Sequence, residues 1–518
     1  MTRVAERSQQ SHRSKYDEQY SDCIEKEIKY HIPSPSNKII NIFESNMNFF
    51  SFEFLGSFLI FFLIYWGCQP SAKLQNGLLI TASYFFVYSF SPDFAYILFS
   101  YTLIIYLLTN VATNWLSSRW IYGILTAVII GFFTTFKYYS FFQETIQQTL
   151  DKFGFSVGLP ILEILAPLGL SFYVFHSVSY TVSVCRKEIP KADFFDVTLY
   201  LAFFPSIVAG PINRAKNFLP QIQAESREVL DPRKAILLIS LALVKLFLFS
   251  SYLSENFVNP VFDAPVGYSA GEILIATYAY AWNIYFNFSG YTNLVTGIAL
   301  LLGFRVPVNF NAPYLAANLK EFWARWHISL STFIRDYIYI PLGGNRKGFS
   351  RMNTNVFLAM VISGLWHGAA MTFVVWGAIH GLGIVLLNLK SLCMEKLGWT
   401  QVIPNKTLSV WVSRIITFHF VCFAWIFFRS ASFDDALLIV NQITAPGFIA
   451  SINASLGLLV AFWLLLITYP YFVQAYHYVA KKYQTIPWYY YPIPLAIILT
   501  IMFMLSPSGM PGFIYANF

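Results

Sequence analysis

Histidine takes and returns a proton near neutral pH, and the chain contains eight. His12 and His31 lie in a polar N-terminal stretch and are set aside. His176, His380, His419 and His477 sit singly in apolar runs. An imidazole in such a setting is usually a hydrogen-bonded packing residue, and these four are read that way. His327 and His367 have different neighbours. Arg325 and Trp326 lead directly into His327 within Glu321-Phe-Trp-Ala-Arg-Trp-His327. His367 belongs to Ser363-Gly-Leu-Trp-His-Gly-Ala-Ala370, where small residues let another helix or a ligand approach the backbone closely. Acyl transfer to an alcohol needs a base for the hydroxyl proton, and a buried, neutral imidazole suits that work. The oxyanion that develops needs donors, for which a second histidine, Arg325, Asn311 and Asn287 are candidates.

Metal binding is the competing use of a histidine pair. His327 and His367 are far apart, with no HxxxH or HExxH spacing near either. On one continuous helix, the separation between His367 and His380 would point them about 140° apart. The five cysteines are scattered without a CxxC pair. No metal site is expected, and no bound cofactor. The turn Pro341-Leu-Gly-Gly-Asn-Arg-Lys-Gly348 projects Arg346 and Lys347 from a bend that Gly343 and Gly344 permit. Those cations suit the phosphates of coenzyme A, or simply mark a loop on the cytoplasmic side of a membrane.

The elements that must position these residues are apolar helices. The 518 residues are 56% hydrophobic and 19% aromatic, with 12% charged where a soluble domain carries roughly 25%. Runs almost without charge recur at Phe52–Cys68, Trp120–Phe136, Ala235–Leu253, Val356–Leu387 and Trp488–Ser506. Further runs lie at Leu78–Phe90, Phe94–Leu108, Ile161–Val184, Ala270–Leu302, Ile415–Phe428 and Leu456–Tyr469. A helix needs about 20 residues to cross the hydrocarbon core. The reading is an all-α, polytopic helical membrane protein with roughly ten to twelve transmembrane helices, since such long continuous runs do not suit barrel strands.

Residues 1–45 form a polar tail, expected to be disordered, and 46–518 a single transmembrane domain. The net charge of +8 is carried mostly by loops between apolar runs, which points to membrane lipids rather than nucleic acid. Asn309–Arg351 is the exception to the avoidance of charge, with six basic and two acidic groups among its aromatics. Charge kept among membrane spans is costly, so this stretch is expected to be functional.

The chain resembles the membrane-bound O-acyltransferases, in the bacterial branch that contains the alginate O-acetylases. The resemblance runs in order through Pro167-Leu-Gly-Leu-Ser-Phe-Tyr173, Phe203-Phe-Pro-Ser-Ile-Val-Ala-Gly-Pro211, Phe286-Asn-Phe-Ser-Gly-Tyr291, Glu321–Ser331, Arg335–Asn345, Ser363–Gly368 and Trp425-Ile-Phe-Phe-Arg429. It implies re-entrant helices around a buried chamber, His367 as the catalytic histidine and His327 as the second active-site position. It also implies acetyl-CoA or another thioester as cytosolic co-substrate, and a bacterial inner-membrane location. The acceptor would be a hydroxyl of an exported polysaccharide such as alginate, or a periplasmic acetyltransferase partner that completes the transfer. The enzymatic rival is D-alanyl transfer to teichoic acid from a carrier protein. A transporter or flippase is the non-enzymatic rival, but the chain lacks the paired mid-membrane acids and internal repeat that it favours.

Overall fold

The computed structural model describes residues 52–153, 167–398, 403, 405–444 and 448–505, so the expected tail lies outside the described residues. Helices account for the architecture, with no strand among the described residues. In chain order they are α1 (Phe52–Gly67), α2 (Ala72–Tyr88), α3 (Pro92–Tyr106, continued by tighter and wider turns to Asn114), α4 (Ser118–Phe136) and α5 (Tyr139–Lys152). Then follow α6 (Leu170–Cys185), α7 (Phe194–Ala202), α8 (Ala215–Ile222), α9 (Pro232–Leu243, continued to Asp263) and α10 (Ala270–Leu301). Two short helices come next, α11 (Leu319–Arg325) and α12 (Ile328–Ile334). The chain ends with α13 (Gly348–His367), α14 (Met371–Lys396), α15 (Lys406–Arg429), α16 (Phe433–Thr444), α17 (Phe448–Tyr483) and α18 (Pro492–Leu505).

Local sequence sets several of these boundaries. Ser91 accepts the amide of Asp93 just ahead of Pro92, so α3 opens with a capping hydroxyl, a proline and an acid in its first turn. At α10 the Ser269 hydroxyl takes the Glu272 amide while the Glu272 carboxylate takes that of Ser269. Asn405 caps α15 through the Leu408 amide.

Six helices among the described residues are long and apolar enough to cross a bilayer: 92–114, 118–136, 232–263, 371–396, 406–429 and 455–483. Two shorter apolar helices, Phe54–Gly67 and Ile493–Met502, accompany them. Large apolar side chains stay exposed on these elements, among them Leu63, Ile130, Leu386 and Met504, as lipid contact requires. The protein is a multi-pass helical membrane protein. Helix α10 is buried almost all round and packs against α9, α15, α16 and α17.

One expectation is corrected. The run Val356–Leu387 is not a continuous helix: α13 stops at His367, the chain bends through Gly368–Ala370, and α14 restarts at Met371. The two helices pack closely against each other. Gly364 and Gly377 make that contact possible, because a methyl group at the first would collide with the Phe373 carbonyl and at the second with that of Met360. The 140° relation between His367 and His380 therefore does not apply.

Candidate active site

His327 sits on the bend between α11 and α12 with φ +42°, a left-handed conformation that a non-glycine residue adopts only when its surroundings fix it. Asn309 is the main fixture. Its Oδ1 accepts from the Ser329 amide at 3.2 Å and the Ser329 hydroxyl at 2.8 Å, and its backbone carbonyl accepts the Ile328 amide at 2.9 Å. The Ser329 hydroxyl also takes the Ile212 amide, which ties in the Phe203–Pro211 segment.

These partners determine the histidine tautomer. Because Oδ1 already faces a backbone N–H, the third contact, His327 Nδ1 at 3.1 Å, must be a donor. The proton is on Nδ1, and Nε2 carries the lone pair. Burial pushes His327, which lies outside the spanning helices, well below its ordinary value, so the ring is neutral near pH 7. The edge of the ring meets Phe288 with centroids 4.6 Å apart.

His367 is the last residue of α13, 3% exposed, inside an aromatic cage. Ring centroids lie at 4.5 Å for Trp366, 5.1 Å for Trp376 and 5.0 Å for Phe428. Trp366 also lies 6.5 Å from His327, so one indole touches the surroundings of both imidazoles. The indole N–H groups of Trp366 and Trp376 have no hydrogen-bond partner among the described residues, which leaves two buried donors beside His367.

The remaining candidates disperse. Trp326 is buried in the same aromatic body, stacked on Phe322 and 5.2 Å from Trp425. Arg325 instead pairs with Glu321 at 2.9 Å, one helical turn back, and donates to the Asn311 carbonyl at 3.1 Å. Asn311 is exposed, and Asn287 lies within the α9–α10 packing, where it donates to the Ser250 hydroxyl at 3.3 Å. Arg346 and Lys347 are exposed on their turn, which Asn355 fastens through the Gly344 carbonyl.

The histidines read as packing residues behave variously. His176 accepts the Asn213 amide, and His419 bridges the Ile415 carbonyl and the Tyr278 hydroxyl. His380 is fully buried among Phe322, Trp323 and Trp376, without a hydrogen-bond partner among the described residues. His477 is exposed. Among the described residues no group of three or more His, Cys, Asp or Glu side chains is arranged to hold a metal ion.

Two cavities reach neighbours of the pair, one at Trp366 and the other at Asn309, without either histidine in their lining. One of about 880 Å3 is predominantly apolar, lined by Phe133, Phe175, Leu330, Phe333, Ser363 and Trp366 among others. The second, about 690 Å3 and more polar, reaches Asn309 and is lined also by Lys245, Tyr285, Asn293, Arg305 and Asn311. Asn309 and Ser329 had no signal in the sequence beyond being polar residues near the histidine motif.

The profile of the MBOAT, membrane-bound O-acyltransferase family, matches residues 85–430, which include both histidines. The chain belongs to this family. Among its relatives is the probable alginate O-acetylase AlgI of Pseudomonas aeruginosa, 32% identical over 418 residues, covering 76% of this chain and 73% of that protein. The peptidoglycan O-acetyltransferase of Helicobacter pylori is 31% identical over 350 residues, 62% of this chain and 63% of its own. The teichoic acid D-alanyltransferase of Bacillus subtilis is 27% identical over 293 residues, 53% of this chain and 71% of its own. Membership of this O-acyltransferase family makes the chain an acyltransferase, which removes the transporter reading.

Proposed function

We propose that the protein transfers acetyl from a cytosolic thioester, acetyl-CoA, to a hydroxyl of an exported polysaccharide or of a periplasmic partner that completes the delivery. The observation that carries the reading is the meeting of His327 and His367 around Trp366, with one cavity reaching Trp366 and a second reaching Asn309, the partner of His327. A relay through the bilayer needs its reacting centre accessible to two substrates, and two cavities of different polarity suit that need.

His367 is assigned the base. As the acceptor oxygen attacks the thioester carbonyl, the imidazole takes the hydroxyl proton, the carbonyl electrons move onto oxygen, and a tetrahedral oxyanion forms. Collapse re-forms the carbonyl and breaks the C–S bond, and the imidazolium returns the proton to the departing thiolate. The Trp366 and Trp376 indoles are the buried donors available to the oxyanion. His327, with its lone pair on Nε2, serves as an acceptor that orients the attacking hydroxyl.

D-alanyl transfer from a carrier-protein thioester uses the same chemistry, and the teichoic acid relative supports it as the second reading. Acetylating relatives share higher identity over more of the chain, which ranks acetyl first. The test is release of free thiol from acetyl-CoA by purified protein, set against release from a D-alanyl carrier-protein thioester. Turnover of acetyl-CoA that vanishes in His367→Ala supports the proposal. Turnover of the carrier thioester alone replaces it with the second reading.

A further inference from the structure

Helix α13 ends at His367, and the last carbonyls of a helix have no amide partners of their own. Many helices solve this with a left-handed glycine, but Gly368 is extended, with φ −171°. Two side chains from the turn between α4 and α5 take over. Lys137 Nζ donates to the Trp366 carbonyl at 2.6 Å, and the Tyr138 hydroxyl donates to the Leu365 carbonyl at 2.5 Å. The Lys137 ammonium also lies 5.8 Å from the centroid of the Trp366 ring, the indole shared by the two histidines. Lys137 forms none of the ion pairs found among the described residues.

The negative end of α13 is the counter-charge to that ammonium. A helix terminus carries about half a negative charge. Left bare beside His367, it would favour the imidazolium over the neutral base and oppose the negative charge that builds on the acyl oxygen. A lysine on the terminus offsets both effects. The pair of donors also fixes the two peptide units immediately before the histidine, and so the angle at which the imidazole leaves the helix.

We propose that Lys137 and Tyr138 form a positioning clamp on the end of α13, holding His367 and Trp366 in their working geometry and neutralising the helix terminus at the reacting centre. The proposal rests on the assignment of His367 as the base. Neither residue is required to touch substrate; both act through His367.

Full-length protein carrying Lys137→Met, Lys137→Arg or Tyr138→Phe tests it, with acetyl transfer, donor KM and the melting temperature in detergent measured on each. Met keeps the length of the stem and removes the charge and the donors. It should lower kcat by up to about a hundred-fold, the scale of a small misplacement of a catalytic group, while donor KM and melting temperature stay near wild type. Arg, which keeps cation and donor, should recover most of the loss, and a purely structural role would not produce that split. Wild-type kcat in Lys137→Met overturns the clamp, as does an Arg variant no better than Met at equal melting temperature. Should Met yield no folded protein, Tyr138→Phe carries the test, and an unchanged kcat there overturns it. His367→Ala separates the two layers: full activity removes the base assignment itself, whereas an inactive His367→Ala beside a fully active Lys137→Met removes the clamp alone.

Discussion

His327 and His367 approach the same tryptophan, but one is held by hydrogen bonds on a strained bend and the other by packing at the end of a helix. At His327 a left-handed backbone, Asn309 and Ser329 determine ring orientation and tautomer together. At His367 the ring packs against aromatic neighbours, and Lys137 and Tyr138 hold the backbone just before it. A group with a fixed tautomer suits orientation, because it presents the same lone pair throughout.

The largest effect tests that division directly. His367→Ala should abolish acetyl transfer in membranes at matched abundance and leave binding of a non-hydrolysable donor analogue intact, since the lost group acts on the hydroxyl in the transition state. Wild-type transfer by this variant would sink the mechanism.

The second effect is smaller and sharpens the contrast. Loss of one contact that orients the attacking hydroxyl costs about a hundred-fold in rate, so His327→Asn should retain measurable transfer where His367→Asn does not. Asparagine tolerates the left-handed backbone better than most residues, so the bend survives the change. Asn309→Ala should produce a loss of the same kind, because the ring then loses the partner that fixes its tautomer. A tolerant His367 beside an intolerant His327 would exchange the two roles.

Much of this arrangement was visible in the sequence, and the failures have physical causes. Charge-free runs located the long helices because lipid leaves few other choices, and the residues around each histidine marked both as site residues. The break after His367 left no trace in hydropathy, since Gly368, Ala369 and Ala370 are as compatible with an apolar span as the helix they interrupt. Arg325 looked like an active-site cation from its place beside His327, yet Glu321 lies one helical turn earlier and captures it. Lys137 and Tyr138 could not have been found, because they meet α13 from more than two hundred residues away in the chain.

The basic turn bears on the same contrast from outside the cage. Arg346 and Lys347 are exposed, and the 20-residue helix α13 runs from their turn to His367 at its far end, so they can affect how a donor arrives but not the proton transfer at His367. Arg346→Gln with Lys347→Gln should raise the KM for acetyl-CoA by several-fold, about what two exposed charge contacts supply, and leave kcat unchanged. A cysteine at Gly348 should label from the cytosolic side. Labelling only from outside would remove these residues from donor recognition.

His380 supplies the smallest expected effect and the control for the whole comparison. It lies on α14, the helix that packs against α13, and is as deeply buried as His367. Its ring is enclosed by Phe322, Trp323, Trp376 and Phe420, and neither nitrogen has a hydrogen-bond partner among the described residues. Burying an imidazole N–H without a partner costs about 1–3 kcal/mol, and an apolar residue of similar volume avoids that cost. His380→Leu should therefore melt at the wild-type temperature or above it and keep acetyl transfer within about twofold, the range expected of a core exchange that conserves volume. The measurement is transfer and thermal midpoint on the same preparation. If His380→Leu keeps its stability and loses transfer, burial beside Trp376 is not mere packing, and the proton taken by His367 has a further acceptor on α14. If both quantities hold, the distinction between the two buried histidines lies in position: His367 ends its helix at the junction where Trp366 meets His327, and His380 is enclosed within the wall.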